Sequence, residues 1–224
     1  AFSSTIEPTG TGTRIEVPRE VMHEFKEVFF DEAYLTGMPL PVPTGADIVD
    51  IGANIGSFSV FAAARFAGSR VVAFEPDVIN FKMLSQNAAL QPAGRVIPVE
   101  AAIAGAAGTL TFRRMEAEGI STSGSLVRKK GLEMVVKAIT LEQALDDAGI
   151  AQCALLKMDC EGAEFDILYG ASDALLGRIR QMVIEIHDQK KGQKTRAAVK
   201  DYLTSKGFAV KDGMHDLLWA WHPA

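Results

Sequence analysis

Along the chain, the first group of side chains that could bind a ligand or take part in catalysis lies around a short glycine loop. Asp50 is the fourth residue of the apolar run DIVDI, and the loop Gly52–Gly56 directly follows this run. Asn54 stands where a dinucleotide fingerprint has its middle glycine, the residue that lets a pyrophosphate approach the backbone. Asp50 would also repel phosphates across a short gap that holds little water to screen the charges. The stretch therefore favours a nucleoside that carries positive charge and no phosphate.

S-adenosyl-L-methionine has that chemistry, because it carries an ammonium and a sulfonium. We expect Asp50 to attract the ammonium, directly or through water. Backbone N–H groups of the loop Gly52–Gly56, with Asn54 at its centre, are expected to hold the methionine carboxylate near a helix start. Glu75, followed by Pro76, ends the second strand about 20 residues further on, where an acidic residue accepts hydrogen bonds from both ribose hydroxyls. Glu75 therefore indicates a bound nucleoside but does not distinguish NAD from S-adenosylmethionine.

The end of the third strand is expected to line the adenine. It reads Glu100–Ala101–Ala102. The two apolar alanines, Ala101 and Ala102, are placed to flank the ring, while Glu100 is placed to reach one of its polar edges.

A second acidic cluster follows the apolar run ALLKM. Asp159 is the first choice for a carboxylate beside a methyl acceptor, Glu161 is close behind it, and Glu164 reads as a first-turn helix acid. His187 ends the next strand, with Glu185 on the same side, and is an alternative base because histidine titrates near neutral pH. A hydroxyl acceptor needs such a base, since it has to lose its proton. We expect no metal: the ligand types suit one, but their spacing matches no closed site, and displacement at carbon needs no Lewis acid.

The elements that position these residues alternate between strand and helix. Apolar runs of strand length, which end at or near the residues above, are separated by stretches with helical spacing. This pattern predicts a Rossmann-like, doubly wound α/β fold with a mostly parallel sheet covered on both faces. Two strands around Gly213 predict a final hairpin and therefore one antiparallel strand.

Composition narrows the class of protein further. The chain has 224 residues and a formal net charge of −5, so it lacks the basic footprint of a nucleic-acid-binding protein. No apolar run approaches the ~20 residues of a membrane span, and the first residues lack signal-peptide blocks, so we expect a cytoplasmic protein. We assign residues 1–45 to an N-terminal extension, an arm plus a helix, and 46–224 to one nucleoside-binding domain.

The motifs resemble those of the FkbM-type methyltransferases, a branch of the class I S-adenosylmethionine-dependent methyltransferases. The resemblance covers roughly Ala46 to His187 and rests on DIGANIGSFS together with KMDCEGAE, supported by VVAFEP, ITLEQAL and VIEIHD. It implies a seven-stranded class I sheet with the last strand antiparallel. It also implies O-methylation of a hydroxyl on a small molecule, such as a sugar, a lipid or a natural product.

Other readings stay open at this point. An NAD-linked Rossmann oxidoreductase would use the same fold, although Asp50 and Asn54 count against it. A catalytically inactive nucleoside-binding module would keep the loop without the chemistry. The loop 118–131 could close over the acceptor or be a plain surface excursion, and its candidate contacts are Ser123, Ser125 and Arg128. The acceptor's identity and the oligomeric state do not follow from the sequence.

Overall fold

The computed structural model describes residues 3–6, 12–114, 119–121, 131–188 and 194–223. In chain order the strands are β1 (Ser3–Ile6), β2 (Ile15–Pro18), β3 (Asp47–Ile51), β4 (Arg70–Phe74), β5 (Val96–Val99), β6 (Ala102–Ile103), β7 (Gly108–Arg114), β8 (Leu132–Ile139), β9 (Cys153–Met158), β10 (Gln181–Glu185), β11 (Ala209–Asp212) and β12 (Leu217–Trp221). The α-helices are α1 (Met22–Phe29), α2 (Ser57–Arg65), α3 (Val78–Ala89), α4 (Leu141–Asp147), α5 (Glu164–Gly170), α6 (Asp173–Leu176) and α7 (Arg196–Ser205). Within these described ranges, no helix has the length and apolar character needed to cross a membrane.

The main sheet has seven strands in the order β11-β12-β10-β9-β3-β4-β5. β10, β9, β3, β4 and β5 pair in parallel, whereas β12 is antiparallel to both of its neighbours. The predicted mostly parallel, doubly wound sheet is therefore confirmed, as is the antiparallel strand near the C-terminus. The predicted hairpin around Gly213 is the β11–β12 pair.

Helices cover both faces of this sheet, which explains why its central strands are apolar on both sides. Every residue of β9 is buried, as is β3 from Ile48 onward. Successive residues of β3 point to opposite faces. Ile48 packs in one apolar cluster with α1, α2 and α3, and Val49 packs in another with α4, α5 and α7.

The N-terminal extension packs onto the face that α2 covers. Phe25, Val28 and Phe29 of α1 are buried in the same cluster as Phe58 and Phe61 of α2. The rings of Phe29 and Phe61 meet edge to face, with centroids 5.1 Å apart. Besides the predicted arm and helix, the extension holds a small antiparallel pair, β1 with β2. The extension and the rest of the chain thus share one core.

A separate three-stranded sheet, in the order β6-β8-β7, lies beside the main one. Strands β7 and β8 form its antiparallel pair. Arg114 at the end of β7 places its Nε 2.9 Å from Oδ2 of Asp77, and both side chains are almost completely buried. Asp77 also caps α3, because its carboxylate accepts the N–H groups of Ile79 and Asn80. This ion pair fixes the small sheet beside the end of β4.

Candidate active site

A cavity of about 270 Å³ opens beside the carboxyl ends of β3, β4 and β9. Strand β3 lies between β4, which follows it in the chain, and β9, which the chain reaches later, so the strand order switches at this point. Ligands of doubly wound sheets bind at such a switch point. The predicted site residues in the cavity wall are Gly52, Asn54, Glu75, Pro76, Ala101, Asp159 and Glu161. Those outside the wall are Asp50, Gly56, Glu100 and His187.

The glycine loop is shaped by close backbone contacts. Gly52 has a φ of +74°, and a Cβ there would lie 1.7 Å from the carbonyl oxygen of Asp159. Gly56, with a φ of +90°, precedes α2 where a Cβ would meet Leu84 at 2.7 Å. Asn54 also adopts a left-handed conformation, at a φ of +52°. Its Oδ1 is buried without a hydrogen-bond partner in the described part of the chain, so the loop presents an unused acceptor at the cavity.

Glu75 is fixed at the end of β4 by backbone donors. Its Oε2 accepts the N–H of Asn54 at 2.9 Å, and its Oε1 accepts the N–H of Asp77 at 2.8 Å. Burial raises the pKa of Glu75 to about 8, although these two hydrogen bonds lower it. A carboxylate has more lone pairs than these two bonds use. The rest are available to hydroxyl groups in the cavity.

Asp50 lies behind the loop and pairs with Lys157. Its Oδ2 accepts the Ser59 hydroxyl at 2.6 Å, and its Oδ1 lies 3.2 Å from Nζ of Lys157. Asp50 and Lys157 are register partners on β3 and β9, which brings them together. Burial disfavours the ammonium, but attraction by Asp50 and Asp159 outweighs it and raises the pKa of Lys157. Lys157 donates in turn to the carbonyl of Gly52 at 2.8 Å. The charge of Asp50 is thus paired with a cation of the protein, and Asp50 lies outside the cavity wall, so its expected attraction for a ligand ammonium stays a prediction.

The predicted adenine end of the cavity is apolar. Ala101 and Ala102 are buried in its wall, as the sequence suggested, and Phe112 of β7 faces them from the small sheet. Glu100 is exposed and lies outside the wall, so the structure does not bring it to the expected polar edge.

Ser121 completes this end and was not foreseen from the sequence. The side chain of Asn80 donates to the Ser121 carbonyl at 2.7 Å and accepts the Ser121 N–H at 3.0 Å. Ser121 is 1% exposed, and its hydroxyl has no hydrogen-bond partner within the described ranges. The hydroxyl is thus a fixed and unused polar group in the cavity wall.

The opposite end of the cavity gathers carboxylates around a tyrosine. The hydroxyl of Tyr34 lies 3.0 Å from Oδ2 of Asp159 and 2.8 Å from Oε2 of Glu185. The Tyr34 ring packs edge to face on Phe58, and Nζ of Lys157 lies 5.3 Å from the ring centroid. Burial, followed by the charges of Asp159 and Glu185, raises the pKa of Tyr34 well above its ordinary value. Tyr34 therefore keeps its proton and donates it.

Further acids surround this end. Glu161, the second predicted acid, lies in the wall with a φ of +54°. Glu24 and Glu27 of α1 line the same space. Burial raises the pKa of Glu24, whose Oε2 is buried and has no hydrogen-bond partner among the described residues. The apolar stripe of the helix predicted over 18–34 favoured a role in the core, with a cover over the acceptor pocket as the alternative, and the structure has residues of α1 both in the core and in the cavity wall.

His187 lies behind the wall, between two carboxylates. Its Nδ1 is 2.9 Å from Oε1 of the buried Glu164, and its Nε2 is 3.7 Å from Glu185. Burial disfavours the charged ring, but the hydrogen bond and the charge of Glu164 raise the pKa of His187 to about 9. His187 thus carries a proton at neutral pH. Glu164 also accepts the N–H groups of Cys160 and Gly162, so it organises the turn after β9 as well as starting α5.

The same side chains bear on metal binding. One ligand atom each of Asp159, Glu185 and His187 lies within 4.8 Å of the others, so the three can reach a single ion. Ligation by His187 would release the proton that its ring holds at neutral pH, because a metal binds the neutral imidazole. The expectation of a site without a metal stays a prediction.

Part of the loop 118–131 can be placed. Residues 119–121 and 131 are described, and the first of these segments contributes Ser121 to the cavity. Ser123, Ser125 and Arg128 lie outside the described residues. Whether this loop covers the acceptor is therefore still a sequence-based question.

The strand order of the main sheet, with its antiparallel strand near the C-terminus, is that of the class I methyltransferase fold. Comparison with known families agrees: the model of the methyltransferase FkbM domain matches residues 50–210. The chain belongs to the FkbM methyltransferase family, as its motifs predicted. The family and the fold support S-adenosyl-L-methionine as the cofactor.

Relatives illustrate the range of this family. The chain is 32% identical over 200 residues to 31-O-demethyl-FK506 methyltransferase FkbM of Streptomyces tacrolimicus, covering 75% of each protein. It is 29% identical to AMB antimetabolite synthetase AmbE of Pseudomonas aeruginosa over 85% of this chain, but spans only 11% of that protein. The crystal structure of methyltransferase FkbM from Methylobacillus flagellatus superposes with a TM-score of 0.60 at 19% identity, over 91% of this chain and 50% of that one.

Proposed function

We propose that this chain is an S-adenosylmethionine-dependent O-methyltransferase that acts on a hydroxyl of a small molecule, sugar, lipid or natural product. The observation that carries the proposal is that one cavity contains both the loop expected to bind the nucleoside and the carboxylates Asp159 and Glu185. When bound, the cofactor supplies a methyl group on a sulfonium, which is electrophilic at carbon. The name of the Streptomyces relative, with its 31-O-demethyl substrate, supports an oxygen acceptor.

The cofactor would lie along the wall from the loop to the small sheet. Loop N–H groups and the side chain of Asn54 would hold its methionine part, and Glu75 would accept the ribose hydroxyls. Ala101 would flank the adenine, and the unused hydroxyl of Ser121 would meet a polar atom of the ring. The fit rests on Asn54 and Ser121, whose buried oxygen atoms lack partners among the described residues.

The acceptor would bind at the acidic end. A hydroxyl within about 2.6–3.2 Å of Asp159 or Glu185 can pass its proton to a carboxylate as it attacks the methyl carbon. Glu161 is the next candidate in the wall. His187, which already holds a proton, would act through Glu185 rather than as the base. Family membership favours this chemistry over hydride transfer with NAD, and it leaves an inactive nucleoside-binding module as the rival.

Calorimetric titration with S-adenosylhomocysteine, with NAD and NADH as controls, tests the donor half. We expect the sulfur nucleoside alone to bind. Glu75→Ala should weaken that binding by about 10- to 100-fold, because hydrogen bonds to a charged group are lost. Glu100→Ala, which removes an exposed carboxylate from outside the wall, is the matched control and should bind like the wild type.

A second assay separates an active enzyme from an inactive module. The protein is incubated with methyl-labelled S-adenosylmethionine and a panel of hydroxyl compounds that includes 31-O-demethyl-FK506, simple glycosides and hydroxylated lipids. Transfer of label to oxygen, reduced in Asp159→Asn, supports the proposal. Binding of the nucleoside without label transfer to any member of a broad panel would favour the inactive module.

A further inference from the structure

We propose that Tyr34 is a positioning residue of the acceptor site, whose hydroxyl joins Asp159 and Glu185 into one ionised carboxylate pair that receives the acceptor's proton. The inference rests on the proposed function and identifies its proton acceptor. It also places part of the active site outside the family domain, because Tyr34 precedes the matched residues 50–210.

The geometry makes Tyr34 a bridge between two strands. Asp159 follows β9 and Glu185 ends β10, and these strands are neighbours in the sheet. Each carboxylate places one oxygen within 3.0 Å of the same hydroxyl, which has one proton to donate. Both carboxylates and Tyr34 line the cavity. A hydroxyl placed between two acids in a ligand cavity fixes where their free oxygen atoms point.

Contacts with four elements, two made by the side chain and two by the neighbouring backbone, hold Tyr34 in this position. Its ring packs on Phe58 of α2 and lies beneath Nζ of Lys157, which belongs to β9. The backbone on both sides is anchored, since Ala33 donates its N–H to Glu27 of α1 and the Thr36 carbonyl accepts from Trp219 of β12. The phenol therefore cannot turn away from the acids without disturbing the core.

Charge explains why such a bridge matters. Burial and the neighbouring charge of Asp159 raise the pKa of Glu185, and the hydrogen bond from Tyr34 lowers it. The cations that face the pair are Lys157, 3.6 Å from Asp159, and His187, 3.7 Å from Glu185. Glu24 of α1 adds a negative charge near Asp159, and Glu161 and Glu27 line the same wall. Two close carboxylates cannot both stay ionised without such donors. Removing the Tyr34 hydroxyl should let one of them take up a proton near neutral pH.

The consequence for catalysis follows from proton balance. As the acceptor oxygen bonds to the methyl carbon, the carbon–sulfur bond breaks and its electron pair stays on sulfur. The acceptor's proton passes to an oxygen of the carboxylate pair and then to solvent. A pair that already holds a proton cannot receive a second one as readily, so the donor hydroxyl of Tyr34 keeps the pair ready for the reaction.

The test compares two nucleosides by calorimetry at pH 6, 7 and 8, in two buffers of different ionisation enthalpy. S-adenosylhomocysteine ends at the sulfur, whereas sinefungin carries an ammonium where the methyl group would be. Both ligands would exchange the same protons at Glu75, so the difference between them in affinity and in protons released reports on the carboxylate pair alone. In the wild type we expect sinefungin to bind more tightly than S-adenosylhomocysteine and to release no more protons than that ligand does.

In Tyr34→Phe we expect sinefungin to release up to one additional proton near neutral pH. Its advantage over S-adenosylhomocysteine should fall about tenfold at pH 6, the cost of about one unit of pKa. Tyr202→Phe is the matched control, because Tyr202 donates to the Leu168 carbonyl away from the cavity and its loss should change neither quantity. A merely structural role for Tyr34 would not alter proton release.

An unchanged proton count and an unchanged preference in Tyr34→Phe would overturn the inference. Should that variant fail to fold, Glu185→Gln replaces it: the preference for sinefungin should fall at every pH without additional proton release, and an unchanged preference would again refute the pair. Failure of the wild type to bind either nucleoside would instead refute the proposed function, and the inference with it.

Discussion

Glu75 shows at the scale of one residue how burial and ligand binding compete. Its carboxyl group has a pKa of about 8 in the free protein, because burial disfavours the charge more than two backbone donors favour it. It is therefore mostly protonated at pH 7. An ionised carboxylate accepts hydrogen bonds from hydroxyl groups more strongly than a neutral one does. Ribose binding should thus favour the ionised form and lower the pKa of Glu75.

The affinity for S-adenosylhomocysteine should consequently rise with pH between 6 and 8 and level off above that range. The slope can reach about tenfold per pH unit, since one proton is released on binding. Calorimetry at each pH measures it. Glu75→Gln, which keeps the shape without the titration, should bind more weakly and lose the slope. A wild-type affinity that does not change over this range would show that the ligand does not engage the ionised form.

Residues at this scale also mark the limit of sequence reasoning. Glu75, Asp159 and Gly52 could be placed at the cavity because each lies at or just beyond the end of a predicted strand. Asp50 was expected to face the ligand, but in the structure it is buried and paired with Lys157. This pairing depends on the register between β3 and β9, which no local sequence pattern encodes. Tyr34 ends the segment 18–34, whose apolar spacing favoured a core role over a cover for the acceptor pocket, so its contact with an acid more than a hundred residues later was not predicted.

The loop between β3 and α2 is the element on which the site depends most. Its first residue, Gly52, combines a left-handed φ with a carbonyl of Asp159 where a Cβ would lie. Gly94 has almost the same conformation, with a φ of +76°, but open space around the missing side chain. Alanine at Gly94 would therefore add backbone strain alone, whereas alanine at Gly52 would add backbone strain and a steric conflict.

Gly94→Ala should lower the free energy of unfolding by about 1–2 kcal/mol, the cost of a left-handed alanine, and leave nucleoside binding unchanged. Gly52→Ala should cost more and should also weaken S-adenosylhomocysteine binding by at least about tenfold, because the loop has to move away from β9. Denaturant unfolding and calorimetry measure the two effects. Equal losses of stability with intact binding in both variants would contradict a role for the close approach.

Elements of the main sheet were predictable because buried parallel strands read as apolar runs bounded by turns. The small sheet was predictable only in part. Residues 109–113 and 133–140 are recognisable as β-rich, whereas residues 102–103 were expected to end the third strand of the main sheet. The attachment of the small sheet depends on Arg114 reaching Asp77, a buried pair between distant parts of the chain. The pairing of β1 with β2 was also missed, since a stretch rich in Thr, Gly and Pro indicated an extended arm.

At the scale of the whole molecule, the N-terminal extension is part of the core rather than an attachment. Phe25 of α1 is 1% exposed and belongs to the apolar cluster that covers one face of the sheet. Phe30, immediately after this helix, is 64% exposed. The same substitution at these two positions therefore measures what the packing of α1 contributes to stability.

Phe25→Ala should lower the free energy of unfolding by about 3–5 kcal/mol, because it removes a buried ring and leaves a cavity. Phe30→Ala should change it by less than about 0.5 kcal/mol, as is usual for exposed positions. Chemical denaturation followed by circular dichroism measures both values. Similar, small effects of the two substitutions would mean that α1 is only loosely attached.

The cavity is built from two sources, and this division has a practical consequence. The wall around Gly52, Glu75 and Ala101 comes from the family domain, whereas Glu24 and Tyr34 come from the segment that precedes it. On the proposed function, variation of the leading segment, including Glu24, would change which acceptor is methylated while the wall proposed to bind the donor stays unaltered. Exchange of that segment among family members is the corresponding route by which evolution could retarget the reaction.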